Sequence, residues 1–308
     1  MQPILITGSH RSGTTWIGHI VRQSSKIHYI NEPFNIEHPP GRGVFDASFD
    51  HWYTYIDSEN EIKYYKPLKK AVSLSYSPIS ELAHSQSRKK YYKAFKEQAI
   101  FLKSRLLQKR VLLKDPLAFF SAEWMHEKIG TQNIVVVRHP AAFAGSLKRK
   151  EWSFDFSNLL NQKSLLNCLD ASLRDDMLSM MSEPKGAIEQ AILLWNIIHS
   201  RVEYYQSRYP EWYFIKHEDI SQNPLEEFKR LFNYLDLSFT KPIQECVLKY
   251  SNSDNPVEAE QGITHTLKRN SQENIKSWKK RLSSQEIQKI YDGTRNISSK
   301  FYSDLDWE

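Results

Sequence analysis

Leu5-Ile6-Thr7-Gly8-Ser9-His10-Arg11-Ser12-Gly13-Thr14-Thr15-Trp16 is the stretch that decides the fold. An apolar run, Ile4 to Ile6, enters a tight loop bounded by two glycines. A helical pattern follows, with Trp16, Ile17, Ile20 and Val21 on one face. Strand, glycine loop and helix in that order make an anion cradle: backbone N–H groups of the loop and first helical turn converge, and the helix dipole favours negative charge there. The spacing of Gly8 and Gly13 matches G-x-x-x-x-G-K-[ST], but Thr14 stands where that pattern has lysine. Such a lysine reaches the β- and γ-phosphates of a nucleoside triphosphate, so its replacement argues against ATP or GTP hydrolysis. The cation of this loop is Arg11 instead.

Four more short apolar runs end in polar residues. Ile27–Ile30 leads into Asn31-Glu32-Pro33, Val111–Leu113 into Lys114-Asp115-Pro116, Ile134–Val137 into Arg138-His139-Pro140, and Trp212–Ile215 into Lys216-His217. Buried runs separated by helical segments predict a three-layer α/β fold, a central parallel sheet with helices on both faces. Ligands of such sheets bind at the carboxyl ends of the strands. Glu32, Lys114, Arg138 and His217 are therefore expected on one edge, beside the loop. Helices are expected over 88–110 (Tyr92, Phe95, Ala99, Leu102 and Leu106 on the buried stripe), over 187–207, after Pro224, and from a cap at Ser284. Residues 34–80, 151–186 and 251–275 read as loops, the first two as insertions in one domain spanning 1–308. Acceptor specificity would live in these insertions.

The chain has 308 residues, 40% hydrophobic and 25% charged, with a net charge of +6. Residues 88–110 hold nine Lys or Arg against one acid, Glu97, so this segment carries +8 and the rest sums near −2. It reads either as a solvated helix face or as a docking face for an anionic glycan, a lipid head group or nucleic acid. Two cysteines, Cys168 and Cys246, form no disulfide framework and no metal spacing. With the first strand so close to Met1 and no apolar span of membrane length, a cytoplasmic protein is expected, with peripheral membrane contact still open.

Two motifs resemble the P-loop sulfotransferases. Arg11-Ser12-Gly13-Thr14-Thr15-Trp16 is similar to that family's 5′-phosphosulfate loop. Val136-Val137-Arg138-His139-Pro140, with Ser146 eight residues after Arg138, is similar to its 3′-phosphate site. The resemblance implies 3′-phosphoadenosine 5′-phosphosulfate (PAPS) as donor, 3′-phosphoadenosine 5′-phosphate (PAP) as product, and no metal. It implies donor contacts from Arg11 to Trp16, Arg138, Ser146 and Ser271, the last in a segment that closes over the nucleotide in relatives. Glu32 resembles the catalytic glutamate of glycan-modifying and tyrosyl members, and Lys114-Asp115-Pro116 resembles the tyrosyl-type motif whose lysine stabilises the transferring group. Arg11 could share that role. His217 lies where tyrosyl members place a nucleotide-contacting tyrosine. The expected acceptor is a hydroxyl on a glycan, glycolipid or related molecule, with no nucleic-acid partner. A P-loop small-molecule kinase and a non-catalytic anion-binding protein are the alternatives.

Overall fold

The computed structural model describes residues 1–83, 88–257 and 267–308. Five strands, β1 (Ile4–Gly8), β2 (Ile27–Asn31), β3 (Arg110–Lys114), β4 (Gln132–Val137) and β5 (Tyr213–Lys216), form one parallel sheet in the order β2-β3-β1-β4-β5. Successive side chains of a strand point to opposite faces, and here both faces are apolar. Ile4, Ile6, Leu112, Ile134 and Val136 pack into one core with Trp16, Ile17 and Phe228. Leu5, Val111, Leu113, Val135 and Val137 pack into the other with Phe119, Phe143 and Trp195. That division is why the strands read as unbroken hydrophobic runs and why the sheet is covered by helices on both sides, as expected.

The strand order reverses at β1. Its neighbours β3 and β4 lead into connections that diverge, opening a crevice at the carboxyl edge. Helix α1 (Thr14–Val21) starts there, directly after Gly13. Gly8 and Gly13 have φ of +144° and +101°. A Cβ on Gly8 would lie 2.4 Å from the Val136 carbonyl oxygen, so the loop can hug β4 only with glycine at that position.

Four expectations are corrected. The segment 34–80 is not wholly loop: it contains α2 (Glu61–Val72) and the short α3 (Pro78–Ala83). Pro67 lies inside α2, a residue that argues against helix in a sequence reading. The segment 151–186 likewise holds a 12-residue helix, Ala171–Ser182. The stripe proposed for the basic helix is inverted. Helix α4 (Arg88–Leu106) buries Ala94 and Phe101, whereas Tyr92, Phe95, Ala99, Leu102 and Leu106 face outward. Period alone could not choose between two apolar faces of one helix. The late helix is capped by Ser283, not Ser284, through a capping box with Glu286. Part of 251–275 lies outside the described residues. No described helix is long and apolar enough to cross a membrane.

Candidate active site

A cavity of about 750 Å³ opens at the carboxyl edge, within the range of small-molecule sites. His10, Arg11, Gly13, Thr14, Thr15 and Trp16 line one wall. The N–H groups of Gly13, Thr14 and Thr15 precede the first helical bond, from Trp16 N–H to the Gly13 carbonyl, and have no partner among the described residues. Ser12 is in the loop but does not line the cavity; its hydroxyl is turned toward Gly8.

The two expected anion sites meet. Arg11 Nε donates to Ser146 Oγ at 3.0 Å, and Arg138 Nη1 donates to the Arg11 carbonyl. Ser146 stands on the helix Pro140–Arg149, whose start at Pro140 suits the first turn. Burial holds the Arg138 guanidinium down to about 10, with Glu218 pulling it up and Arg11 and Arg281 pushing it down. Arg11 is lowered as well, by burial and then by Arg149 and Arg281. Four guanidinium groups repelling one another in one cleft is an arrangement that an anion stabilises.

The fit to a doubly anionic donor rests on orphaned atoms of the cavity wall. Trp16 Nε1, Arg138 Nε and His217 Nδ1 are buried without a partner among the described residues. Native proteins rarely leave such groups unsatisfied. A Cβ on Gly13 would come within 2.5 Å of His217 Nδ1, so the imidazole sits directly against the loop. Burial, then Arg138, pushes His217 down to about 3, which keeps it neutral. Ser271 reaches the cavity, but its hydroxyl donates to the Ser221 carbonyl at 2.7 Å.

Glu32 follows β2 in the left-handed region, φ +45°. Its N–H bonds the Lys114 carbonyl at 2.8 Å, extending the ladder by one residue. Its Oε1 accepts from Lys114 Nζ and its Oε2 from Asn35 Nδ2 at 2.7 Å. Lys114 is 1% exposed. A Cβ on Gly18 would lie 3.0 Å from Lys114 Cγ, so α1 makes room for the lysine stem. Asp115 is not at the reacting edge. Its carboxylate accepts the backbone N–H groups of Phe34 and Leu117, at 2.6 and 2.9 Å.

Several lining residues escaped sequence reading. Arg149 and Lys150 lay in the visible run Lys148-Arg149-Lys150, just after Ser146. Arg281, Trp52 and Trp152 had no signal, because they come from distant segments. Trp52 and Trp152 meet edge to face at 5.5 Å, and His10 lies 4.8 Å from Trp152. Tyr53 Oη accepts the His10 backbone N–H at 2.9 Å and lies 2.6 Å from His10 Nδ1. The phenol is fully buried and has no other acceptor among the described residues, so its proton goes to Nδ1. The ring, pushed by burial down to about 3, is therefore neutral with its own proton on Nε2. His10, Trp52 and Trp152 also line a neighbouring cavity of about 290 Å³.

The family model described as Sulfotransferase family matches residues 3–241, well over half of the chain. Among solved structures, the chain is similar to the sulfotransferase domain from the Curacin biosynthetic pathway, at 14% identity over 97% of each chain and a TM-score of 0.50. It is also similar to the sulfotransferase domain of the Synechococcus PCC 7002 olefin synthase, at 13% identity over 98% of this chain and 95% of that one, TM-score 0.50. At such identities the likeness concerns the fold. No curated protein sequence matches. The fold, the paired anion cradles and the family model agree: the chain belongs to the sulfotransferase family, as a PAPS-dependent enzyme.

Proposed function

We propose that this enzyme sulfates a hydroxyl of a glycan, glycolipid or related acceptor, with Glu32 as base and Lys114 as the cation at the reacting centre. The observation that carries this reading is the Lys114–Glu32 pair at the strand ends beside the anion loop, its lysine buried and its carboxylate half-buried toward the cavity. Bound donor supplies an activated sulfuryl group and a good phosphate leaving group. The chain's residues do the rest. Gly13, Thr14 and Thr15 N–H groups and Arg11 would hold the phosphosulfate end, and Arg138 with Ser146 the 3′-phosphate. Ser271 would stand at the nucleotide with its lone pairs. Lys114 faces the charge that develops as the sulfuryl group leaves its phosphate. A carboxylate offers about four acceptor positions, so Glu32 can hold Lys114 and Asn35 and still receive the acceptor's proton.

Support for a saccharide comes from the acceptor wall. Trp52 and Trp152 line the cavity edge to face beside His10, whose ring keeps its proton on Nε2. That combination suits a ring with one apolar face and hydroxyl edges. A reducing, cytoplasmic setting belongs to the same proposal, supported by two free cysteines. The test is transfer of labelled sulfate from PAPS to a panel of glycans, glycolipids, tyrosine peptides and phenols. Labelling of saccharides, lost in Glu32→Gln, is expected. Preferential labelling of peptides or phenols would overturn the acceptor assignment.

A further inference from the structure

Helix α4 has two apolar faces, and among the described residues only one has a partner inside the fold. Its inner face buries Ala94 and Phe101. Phe101 packs against His28 of β2 at 4.4 Å and against Tyr76 at 5.2 Å, and Ser104 Oγ bonds His28 Nδ1 at 2.9 Å. The outer face carries Tyr92, Phe95, Ala99, Leu102 and Leu106 at alternating steps of three and four, the spacing of one continuous helical stripe. Tyr92 is 75% exposed, Phe95 63%, Leu102 50% and Leu106 74%. Isolated exposed apolar residues are ordinary, but an ordered row of large ones marks an interaction surface.

Along one flank of this row run Lys93, Lys96 and Lys103, all exposed. None forms an ion pair with a described residue. The one acid of the helix, Glu97, is half-buried and lies near Tyr76, off the stripe. A second copy of the chain would bring lysine rows together beside a shared seam, which like-charge repulsion opposes. An anionic lipid surface satisfies both halves: apolar side chains enter the acyl boundary, while lysine stems lie along it with their ammonium groups at the head groups.

We propose that the outer face of α4 docks the enzyme onto anionic membranes, independently of donor and acceptor binding. Vesicles of phosphatidylcholine, with and without phosphatidylserine, test this by co-sedimentation of the full chain. Binding to phosphatidylserine vesicles that weakens with added salt is expected, with little to neutral vesicles. Lys93→Glu/Lys96→Glu/Lys103→Glu should lower that affinity by at least about fivefold per lysine. Phe95→Ser/Leu102→Ser should lower it more than tenfold while the thermal shift with PAP stays unchanged, which shows the variants fold. Equal binding to both vesicle types, unchanged binding of both variants, or an apolar-face-dependent dimer in place of vesicle binding would overturn the proposal.

Discussion

The two ends of the cavity are built differently. The proposed donor end is made mostly of strand ends, a helix start and backbone N–H groups following β1, β4 and β5, closed by Ser271 and Arg281. The proposed acceptor end is made of side chains from the 34–56 and 149–158 segments, brought together by tertiary packing. The first depends on local conformation, so its chemistry is fixed wherever its glycines and cations are fixed. The second depends on which loops meet, so it can change while the first stays constant.

The hardest way to break this contrast is at the reacting pair, where the ends join. Lys114→Met and Glu32→Gln should each lower kcat by about 10²–10³, with PAP binding, followed by calorimetry, changed only a few-fold. Loss of PAP binding as large as the loss of kcat would move these residues to the donor end.

Next in size is Gly8→Ala. Its Cβ would meet the Val136 carbonyl at 2.4 Å with φ at +144°. A cost of about 1–3 kcal/mol is expected, read as a lower Tm, with PAP affinity reduced in the folded fraction.

Acid should destabilise the fold as a whole. Burial pushes His10, His139, His199 and His217 down to about 3 and His28 down to about 4. In the unfolded chain each titrates near 6.5, so the unfolded state takes up protons that the native state refuses. The stability these rings contribute is complete above pH 6.5 and drains as pH falls toward 3. Between pH 6.5 and 5 each ring costs about 2 kcal/mol, a large share of a native margin of roughly 5–15 kcal/mol. Asp115 runs the other way: burial raises it to about 7, so its contribution is lost as pH rises through that value. One group against five leaves acid the stronger stress. Urea unfolding across this range should show stability falling with pH, and His199→Phe should flatten the slope by about a quarter.

Smaller effects sharpen the acceptor side. Trp152→Ala should raise acceptor KM about tenfold, on the scale of a lost aromatic contact and its apolar area, with KM for PAPS unchanged. Tyr53→Phe should act least, changing kcat/KM for the acceptor a few-fold by freeing the His10 proton to shift between nitrogens. Nitrogen chemical shifts of the ring would read that shift directly.

The same division explains what the chain disclosed before folding. Glycine loops and strand-end residues are contiguous, so Gly8, Arg11, Gly13, Lys114 and Arg138 could be placed on one edge from periodicity and spacing. All five strands follow the expected runs, because burial on both faces leaves an unbroken apolar signature. Trp52, Trp152 and Arg281 carry no local mark, since their meaning arises only where three distant segments converge. The outer face of α4 misled for a related reason. Apolar period reports that a face wants a partner but does not say whether the partner lies inside the fold.

The Asp115 carboxylate has one consequence for design. It ties the Phe34 and Leu117 amides to the end of β3, one residue from Lys114. The acceptor segment is thus rooted at a fixed point, like a tool held in a chuck. Cavity-facing residues beyond Asn35 can be exchanged while the buried Phe45, Phe49 and Tyr53 keep the segment in place. Retargeting this enzyme to a new acceptor should begin after Asn35, which holds Glu32, and leave Asp115 untouched.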